Sequence, residues 1–186
     1  MALHKYLAIA LLILSTSGYA ANSTKKTDHT LNADQACEKI AAKLSSISLR
    51  ECNGLELQQS GFISANEFPI LLKEFPPLND RKPKGRVLLI GGTHGDELSS
   101  ISVVFKWMNT LKHHHSGLFH WRVFPLMNPD GALIKRHTRL NANGVDLNRN
   151  FLTPGLPQAA LSYWINKTRR NARRYPGENP LSEPET

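Results

Sequence analysis

The sequence predicts an α/β fold with a mixed, largely parallel central sheet flanked by helices. The segment Arg86–Ile90 is a short apolar stretch bounded by glycines, which is typical of a strand buried on both faces. Apolar residues at positions 98, 101, 104, 105 and 108 have the spacing of a helix that buries one face. The segment Phe119–Phe124 alternates in the manner of a further strand.

The start of the chain is predicted to be a signal peptide. Met1–Lys5 is a short cationic segment, Tyr6–Leu14 is an apolar core and Ser17–Ala20 is a small-residue cleavage site. The apolar run is too short to span a bilayer, and no later segment approaches the ~20 apolar residues that a membrane-spanning helix needs. We therefore expect removal of residues 1–20, export to the periplasm or the medium, and no stable membrane insertion.

Residues 21–84 are expected to form a lead-in with one helix and short strands. Asp34 is a candidate N-cap for a helix with apolar residues at 37, 40, 41, 44 and 47. Ser48–Glu56, Leu57–Ser64 and Glu67–Phe75 have the composition of strands separated by turn residues.

The chain has two cysteines, Cys37 and Cys52, and both lie in this lead-in. Exported proteins meet oxidising conditions, so we expect a disulfide between them rather than two buried thiols. A bridge that closes a loop of about fifteen residues contributes about 3 kcal/mol.

The turn between the predicted strand and helix carries a histidine and a carboxylate at metal-ligand spacing. His94 would lie at the turn and Glu97 in the first helical turn, so both can face one point. A catalytic zinc ion takes such ligands, using three from the protein and one water. We therefore predict His94 and Glu97 as ligands of one Zn²⁺ ion. The alternative is that Asp96 and Glu97 only complement the positive end of the helix.

A second motif follows in a stretch rich in turn-forming residues. An arginine such as Arg149 binds a carboxylate with two hydrogen bonds, and the amide of Asn148 can donate another. Arg139 could stabilise the oxyanion that forms from a scissile carbonyl. Asp146 could accept the second ring N–H of a zinc-bound His94. The alternative is a solvated loop in which one residue caps a helix.

These motifs, in this order, resemble those of the zinc metallocarboxypeptidases related to carboxypeptidase A. The matching segments are His94-x-x-Glu97, Asn128–Gly131 and Arg139–Phe151. The closing stretch Tyr175–Thr186 resembles the bacterial branch that trims murein peptides. The chain departs from the bacterial pattern at Leu152, where proline is usual.

The resemblance implies a partial zinc carboxypeptidase catalytic domain over residues 85–186. It assigns zinc binding to His94 and Glu97. Polarisation of the scissile carbonyl is assigned to Arg139 in preference to Arg136. Binding of the substrate's terminal carboxylate is assigned to Asn148 together with Arg149. In that family the third zinc ligand is a histidine and the general base a glutamate, and neither has a matching position here. We therefore expect an amino-terminal part of the enzyme, with an incomplete site and a sheet incomplete at its C-terminus.

The leading interpretation is a zinc metallocarboxypeptidase that hydrolyses a C-terminal peptide bond, with a murein γ-D-glutamyl bond as one candidate. Its partner would be a peptide with a free C-terminal carboxylate, such as a cell-wall peptide. One alternative is a zinc deacylase like aspartoacylase or succinylglutamate desuccinylase, which also pairs His-x-x-Glu with Asn-Arg. Asn128–Gly131 and Ser182–Thr186 favour the peptidase. Another alternative is a non-catalytic carboxylate-binding module.

The formal net charge is +8, from 23 lysines and arginines against 15 acidic residues. Part of the excess is a cluster of Lys167, Arg169, Arg170, Arg173 and Arg174. Basic clusters can bind nucleic acid, but export argues against that partner. The cluster is interpreted as the solvated end of a helix, with attraction to acidic cell-wall peptides as the alternative.

Overall fold

The computed structural model describes residues 31–154 and 159–186. The predicted signal peptide, residues 1–20, lies outside these ranges. Within them, no helix combines the length and the apolar character needed to cross a membrane.

The described chain begins with two short helices, α1 (Ala33–Lys43) and α2 (Leu49–Gly54). The predicted cap of the first helix is wrong: Asn32 caps α1 in a reciprocal capping box with Gln35, and Asp34 lies in the first turn. Cys37 of α1 and Cys52 of α2 form a disulfide with a Cα–Cα distance of 5.6 Å. The bridge joins the two helices beneath the sheet.

The strand predicted over Ser48–Glu56 is also wrong, because α2 occupies this segment. Ser48 Oγ accepts a hydrogen bond from the Glu51 N–H, and Glu51 Oε2 accepts one from the Ser48 N–H. The hydrogen bonds that the Glu51 carboxylate accepts from the Ser48 N–H and the Ser48 hydroxyl hold the pKa of this carboxyl below its ordinary value. The reciprocal Ser-x-x-Glu cap stabilises the start of α2. The turn residues around it had favoured the prediction of a strand instead.

Four strands form one mixed sheet, which confirms the predicted α/β architecture. They are β1 (Gln58–Ile63), β2 (Pro69–Phe75), β3 (Gly85–Ile90) and β4 (Phe119–Phe124), in the spatial order β1-β2-β4-β3. Among these strands β3 and β4 pair in parallel, whereas β1 with β2 and β2 with β4 pair antiparallel.

The strand β3 was predicted to be buried on both faces, and this is wrong for the described part of the sheet. It lies at the edge of the four strands, beside β4. Leu88 is 61% exposed, because it points to the face of the sheet opposite the one on which Leu89 packs against the core. An apolar run identifies a strand, but the position of that strand in the sheet depends on pairing with distant segments.

The core lies between the sheet and two helices, α1 and α3 (Leu98–His114). Its most deeply buried side chains include Ile40, Leu55, Ile101, Met108 and Val123. The predicted helical face of α3 is confirmed, since Ile101, Val104, Phe105 and Met108 are buried. The core therefore fixes the start of α3 relative to the end of β3, where the candidate site lies.

Five shorter elements remain in the described residues, among them α4 (Pro129–Ala132), a 3₁₀ turn at Leu147–Arg149 and α5 (Ala159–Asn166). Further 3₁₀ turns occur at Leu78–Asp80 and Ala172–Arg174.

Candidate active site

The candidate site begins in the loop of residues 91–97, which joins β3 to α3 and is called the His94 loop below. The parallel pairing of β3 and β4 continues into it. The Gly91 N–H donates to the Phe124 carbonyl at 2.7 Å, and the Asn128 N–H donates to the Gly92 carbonyl at 2.8 Å. The loop is therefore an extension of the sheet rather than a free connection.

Two glycines allow this path. Gly92 has φ of +60°, a conformation that costs glycine little and most other residues more. A Cβ on Gly95 would collide with the backbone of Gly131 and Ala132 in α4. The close approach of these two backbones places His94 against the segments that follow β4.

His94 is buried, with 7% exposure, and each ring nitrogen faces a carboxylate oxygen. Nδ1 lies 3.0 Å from Glu97 Oε1, and Nε2 lies 2.9 Å from Asp146 Oδ1. If the Nε2 proton is donated to Asp146, Nδ1 and Glu97 Oε1 become two acceptors at hydrogen-bond distance. A proton or a cation held between Nδ1 and Oε1 would remove the repulsion between these two acceptors.

The pair fits part of a zinc site. Two ligands of one tetrahedral zinc lie about 3.4 Å apart, given Zn–N and Zn–O bonds of about 2.0–2.2 Å. The observed 3.0 Å between Nδ1 and Oε1 is close to this separation. Within residues 31–154 and 159–186, however, no group of three or more His, Cys, Asp or Glu side chains is placed to hold a metal.

Asp146 connects the histidine to two arginines. It is fully buried, at 0% exposure. Besides His94, it accepts hydrogen bonds through Oδ2 from Arg139 Nε at 3.1 Å and from Arg149 Nη1 at 2.6 Å. A buried carboxylate needs such partners, because an unpaired charge in the interior is costly.

Arg139 also faces the pair of candidate metal ligands, with Nη1 3.4 Å from Glu97 Oε1. Its side chain is 15% exposed, so it remains open to the site. The structure thus brings Arg139 into the cluster, while the alternative candidate Arg136 is exposed.

Asn128 has a role in the site that sequence reasoning did not assign. It is fully buried; Nδ2 donates to the Arg139 carbonyl at 3.0 Å, and Oδ1 accepts from the Gly131 N–H at 2.8 Å. Since its own N–H bonds to Gly92, Asn128 ties the His94 loop to Arg139. The Asn-Pro-Asp-Gly motif was the signal that could have identified it.

Asn148 stands outside this contact cluster and is exposed. With Arg149 it lines an open cavity of about 460 Å³, whose wall also includes Phe151 and Tyr163. The 3₁₀ turn at Leu147–Arg149 points Arg149 back to Asp146 and leaves Asn148 at the cavity.

A second contact that the sequence did not predict joins the His94 loop to the region after α5. Arg173 Nη2 lies 2.5 Å from Asp96 Oδ2, across 77 positions of sequence. The other oxygen, Oδ1, is buried and has no hydrogen-bond partner among the described residues. Asp96 is therefore held by this one arginine.

The order and placement of these residues agree with one family. Residues 45–186 match the zinc carboxypeptidase family. The chain belongs to this family. The predicted resemblance is thereby confirmed, and with it the assignment to hydrolases of the metallocarboxypeptidase type.

Curated relatives of this zinc carboxypeptidase-family chain are murein peptide amidases. Murein peptide amidase A of Escherichia coli (strain K12) is 38% identical over 105 residues, which cover 53% of this chain and 40% of the relative. Murein peptide amidase A of Vibrio campbellii is 34% identical over 113 residues, covering 60% of this chain and 43% of the relative. The chain thus aligns with less than half the length of these relatives.

A solved structure shares the fold. Bovine thrombin-activatable fibrinolysis inhibitor, in complex with tick carboxypeptidase inhibitor, superposes with a TM-score of 0.56 at 16% identity. The superposition covers 85% of this chain and 53% of the bovine chain. The shared fold supports the α/β architecture described above.

Proposed function

We propose that the protein is a zinc-dependent carboxypeptidase that acts outside the cytoplasm on peptides with a free C-terminal carboxylate. The murein peptide amidases among its relatives support a cell-wall peptide as the substrate. The cluster around Asp146 supports a site that combines metal binding with recognition of a chain end. The whole activity is proposed for the complete catalytic site, to which this chain contributes the residues below.

His94 and Glu97 would hold the zinc ion through Nδ1 and a carboxylate oxygen. When bound, zinc supplies Lewis acidity toward the scissile carbonyl and activates water as the nucleophile. Asp146 fixes the orientation of the His94 ring by accepting from Nε2, as carboxylates do around zinc-bound histidines.

Arg139 and Arg149 would have different roles in the reaction. Arg139, partly open beside Glu97, is placed to stabilise negative charge on the oxygen of the reacting carbonyl. Arg149, with Asn148 on the neighbouring cavity wall, would bind the terminal carboxylate of the substrate. A peptide lacking that carboxylate would leave Arg149 paired with Asp146 alone, so its other N–H donors would gain no charged acceptor from the substrate.

One observation carries the proposal: a single buried carboxylate, Asp146, contacts both the metal-ligand candidate His94 and the carboxylate anchor Arg149. The two groups are therefore held within the span of one side chain. This separation suits removal of a residue at the very end of a peptide rather than cleavage within it.

The test compares a short peptide with a free C-terminus, the same peptide amidated, and an N-acyl amino acid. In the protein that carries the complete catalytic site, we expect zinc-dependent binding and hydrolysis of the free peptide, with loss on chelation and recovery with zinc. Arg149→Gln should raise the Kd or KM for the free peptide about 10–100-fold and leave the amidated peptide unchanged, since a hydrogen bond to a charged group contributes about 1.5–3 kcal/mol.

Arg50→Gln is the matched control, because Arg50 is exposed on α2. Equal weakening of the free and amidated peptides by Arg149→Gln would contradict the anchoring role. Turnover of the N-acyl amino acid in place of the peptide would identify a deacylase. Carboxylate-dependent binding without hydrolysis in the complete protein would identify a binding module.

A further inference from the structure

The segment of residues 167–174 follows α5 and is called the basic loop. Its cations are Lys167, Arg169, Arg170, Arg173 and Arg174, all of them exposed, and it contains no acidic residue. Arg173 pairs with Asp96. The remaining four form no ion pair with any other residue of the described ranges. The loop therefore presents an excess of unneutralised positive charge.

The basic loop has a defined conformation. Arg170 N–H donates to the Trp164 carbonyl at 3.1 Å, and Trp164 Nε1 donates to the Asn171 carbonyl at 2.8 Å. The Thr168 hydroxyl donates to the Trp164 carbonyl at 2.7 Å. These bonds fold the loop back onto the end of α5, so the backbone positions that carry its cations are fixed.

Two positions in the loop have a conformation that arginine does not favour. Arg169 and Arg170 have φ of +53° and +56°. Glycine or asparagine would adopt this left-handed conformation at lower cost. The backbone conformation alone therefore gives no reason for arginine at these places.

The position of the basic loop relative to the candidate site indicates that a bound substrate would lie near it. Contacts run from Arg149 through Asp146 to His94, and the His94 loop continues to Asp96, which Arg173 binds. The basic loop therefore borders the candidate site: Arg173 binds Asp96 of the His94 loop, and the carbonyl of Tyr175, which follows the basic loop, accepts from the Asp146 N–H at 2.7 Å. A peptide bound at Arg149 and His94 would lie close to the loop.

We propose that the basic loop is a docking surface for acidic side chains of the substrate, on the amino-terminal side of the cleaved bond. This rests on the proposed carboxypeptidase function and adds a preference for acidic peptides. Nucleic acid fits less well, because bases stack on free aromatic faces. Trp164 and Tyr175 instead pack against each other, with ring centroids 4.9 Å apart.

The experiment measures binding of dye-labelled peptides to the full chain by fluorescence anisotropy. One peptide carries several glutamates before a neutral C-terminal residue, the second has glutamines in their place, and the third is the acidic peptide with an amidated end. Arg169→Gln/Arg170→Gln should weaken binding of the acidic peptide about twofold to thirtyfold, the effect of losing two exposed ion pairs. The loss should shrink at high salt, and the glutamine peptide should be unaffected.

Arg81→Gln/Lys82→Gln is the matched control. It removes the same charge at exposed positions before β3, at the opposite end of that strand from the His94 loop. If both double variants lost the same amount of affinity for the acidic peptide, the effect would depend on net charge alone and the proposal would be overturned. No loss in the loop variant would also overturn it.

Failure of the two proposals can be told apart. If Arg149→Gln abolishes discrimination between free and amidated ends while the loop variant binds normally, carboxypeptidase recognition stands and the docking surface is wrong. If the loop variant loses binding but the free and amidated peptides bind alike, the proposed function is wrong and so is the substrate assignment of the loop. Tighter loop-dependent binding of oligothymidylate or of phosphatidylserine vesicles would also overturn that assignment.

Discussion

His94 Nε2 lies 2.9 Å from Oδ1 of Asp146, a side chain with no exposure to solvent. The other oxygen of Asp146 accepts from Arg139 and Arg149. The orientation of the imidazole ring is thus fixed by the same group that holds both arginines. Changes at Asp146 should therefore affect metal binding and carboxylate binding together.

Replacing Asp146 by asparagine should weaken zinc binding. The asparagine Oδ1 could still accept from Nε2, but the NH₂ group would then face the two guanidinium groups. Because this orientation is unfavourable, the amide would no longer hold the imidazole ring in place. Loss of such an outer carboxylate typically lowers metal affinity about 10–100-fold. Competition with a chromophoric chelator would measure zinc affinity, with circular dichroism to verify folding.

Asp34→Asn is the control, because Asp34 is exposed in the first turn of α1. Zinc affinity of the Asp146→Asn protein equal to that of the wild type, in a folded sample, would show that Asp146 does not support a metal ligand. Loss of zinc binding in His94→Ala would then be the remaining evidence for the site.

Gly95 should not tolerate a side chain. The Cβ of alanine would overlap the backbone of Gly131 and Ala132, which cannot move aside as a flexible side chain can. We expect Gly95→Ala to lower the free energy of unfolding by about 1–3 kcal/mol or more. Gly54→Ala is the matched control, since its Cβ would meet only Lys112 Nζ, at 3.9 Å.

Denaturant unfolding of both glycine variants gives the comparison. The Gly54→Ala protein should remain within about 1 kcal/mol of the wild type, because alanine is the better helix former. If the two variants proved equally stable, the close approach of the His94 loop to α4 would not be a constraint on the fold.

Local signals in the sequence were sufficient for much of this site. The apolar run before Gly91, the following glycines and the helical spacing after Glu97 predicted the turn that carries His94. Strand β3, helix α3 and strand β4 follow the predicted segments within a few residues. Periodicity and turn residues act over short distances, so they can be read directly.

What the sequence did not predict depends on contacts between distant segments. The edge position of β3 is set by pairing, and the Asp96–Arg173 contact spans 77 positions. The helix at Leu49–Gly54 is a different case, because its Ser48 and Glu51 capping box is local. In this segment the helical conformation competes with the turns that the flanking residues favour, and the capping box stabilises the helix.

Glu185 gives the described chain a pH-dependent contribution to stability. The side chain is 3% exposed, and burial raises the pKa of its carboxyl above the ordinary value, with the nearby Asp130 charge acting in the same direction. Hydrogen bonds from the Ala65 N–H at 3.1 Å and Asn141 Nδ2 at 3.2 Å oppose the shift. The folded protein therefore retains this proton at a pH where the unfolded chain has lost it.

The sign of the effect follows from proton binding. The contribution of Glu185 is fully present below the pKa of the unfolded chain and is lost as pH rises through the higher pKa of the folded protein. Glu185→Gln cannot lose a proton, so the stability of the wild type relative to this variant should fall from mildly acidic to neutral pH. Glu51 provides a comparison of opposite sign, because its pKa is lowered by Ser48.

For Glu51→Gln the change lies at lower pH: the stability of the wild type relative to this variant should fall as pH drops below the ordinary glutamate pKa and through the lowered pKa of the folded protein. Urea unfolding of the three proteins from acidic to neutral pH measures both differences. A flat difference for Glu185→Gln from mildly acidic to neutral pH would show that Glu185 is ionised in the folded protein as readily as in the unfolded chain. Burial of the closing segment against Asn141 would then have to accommodate a full negative charge.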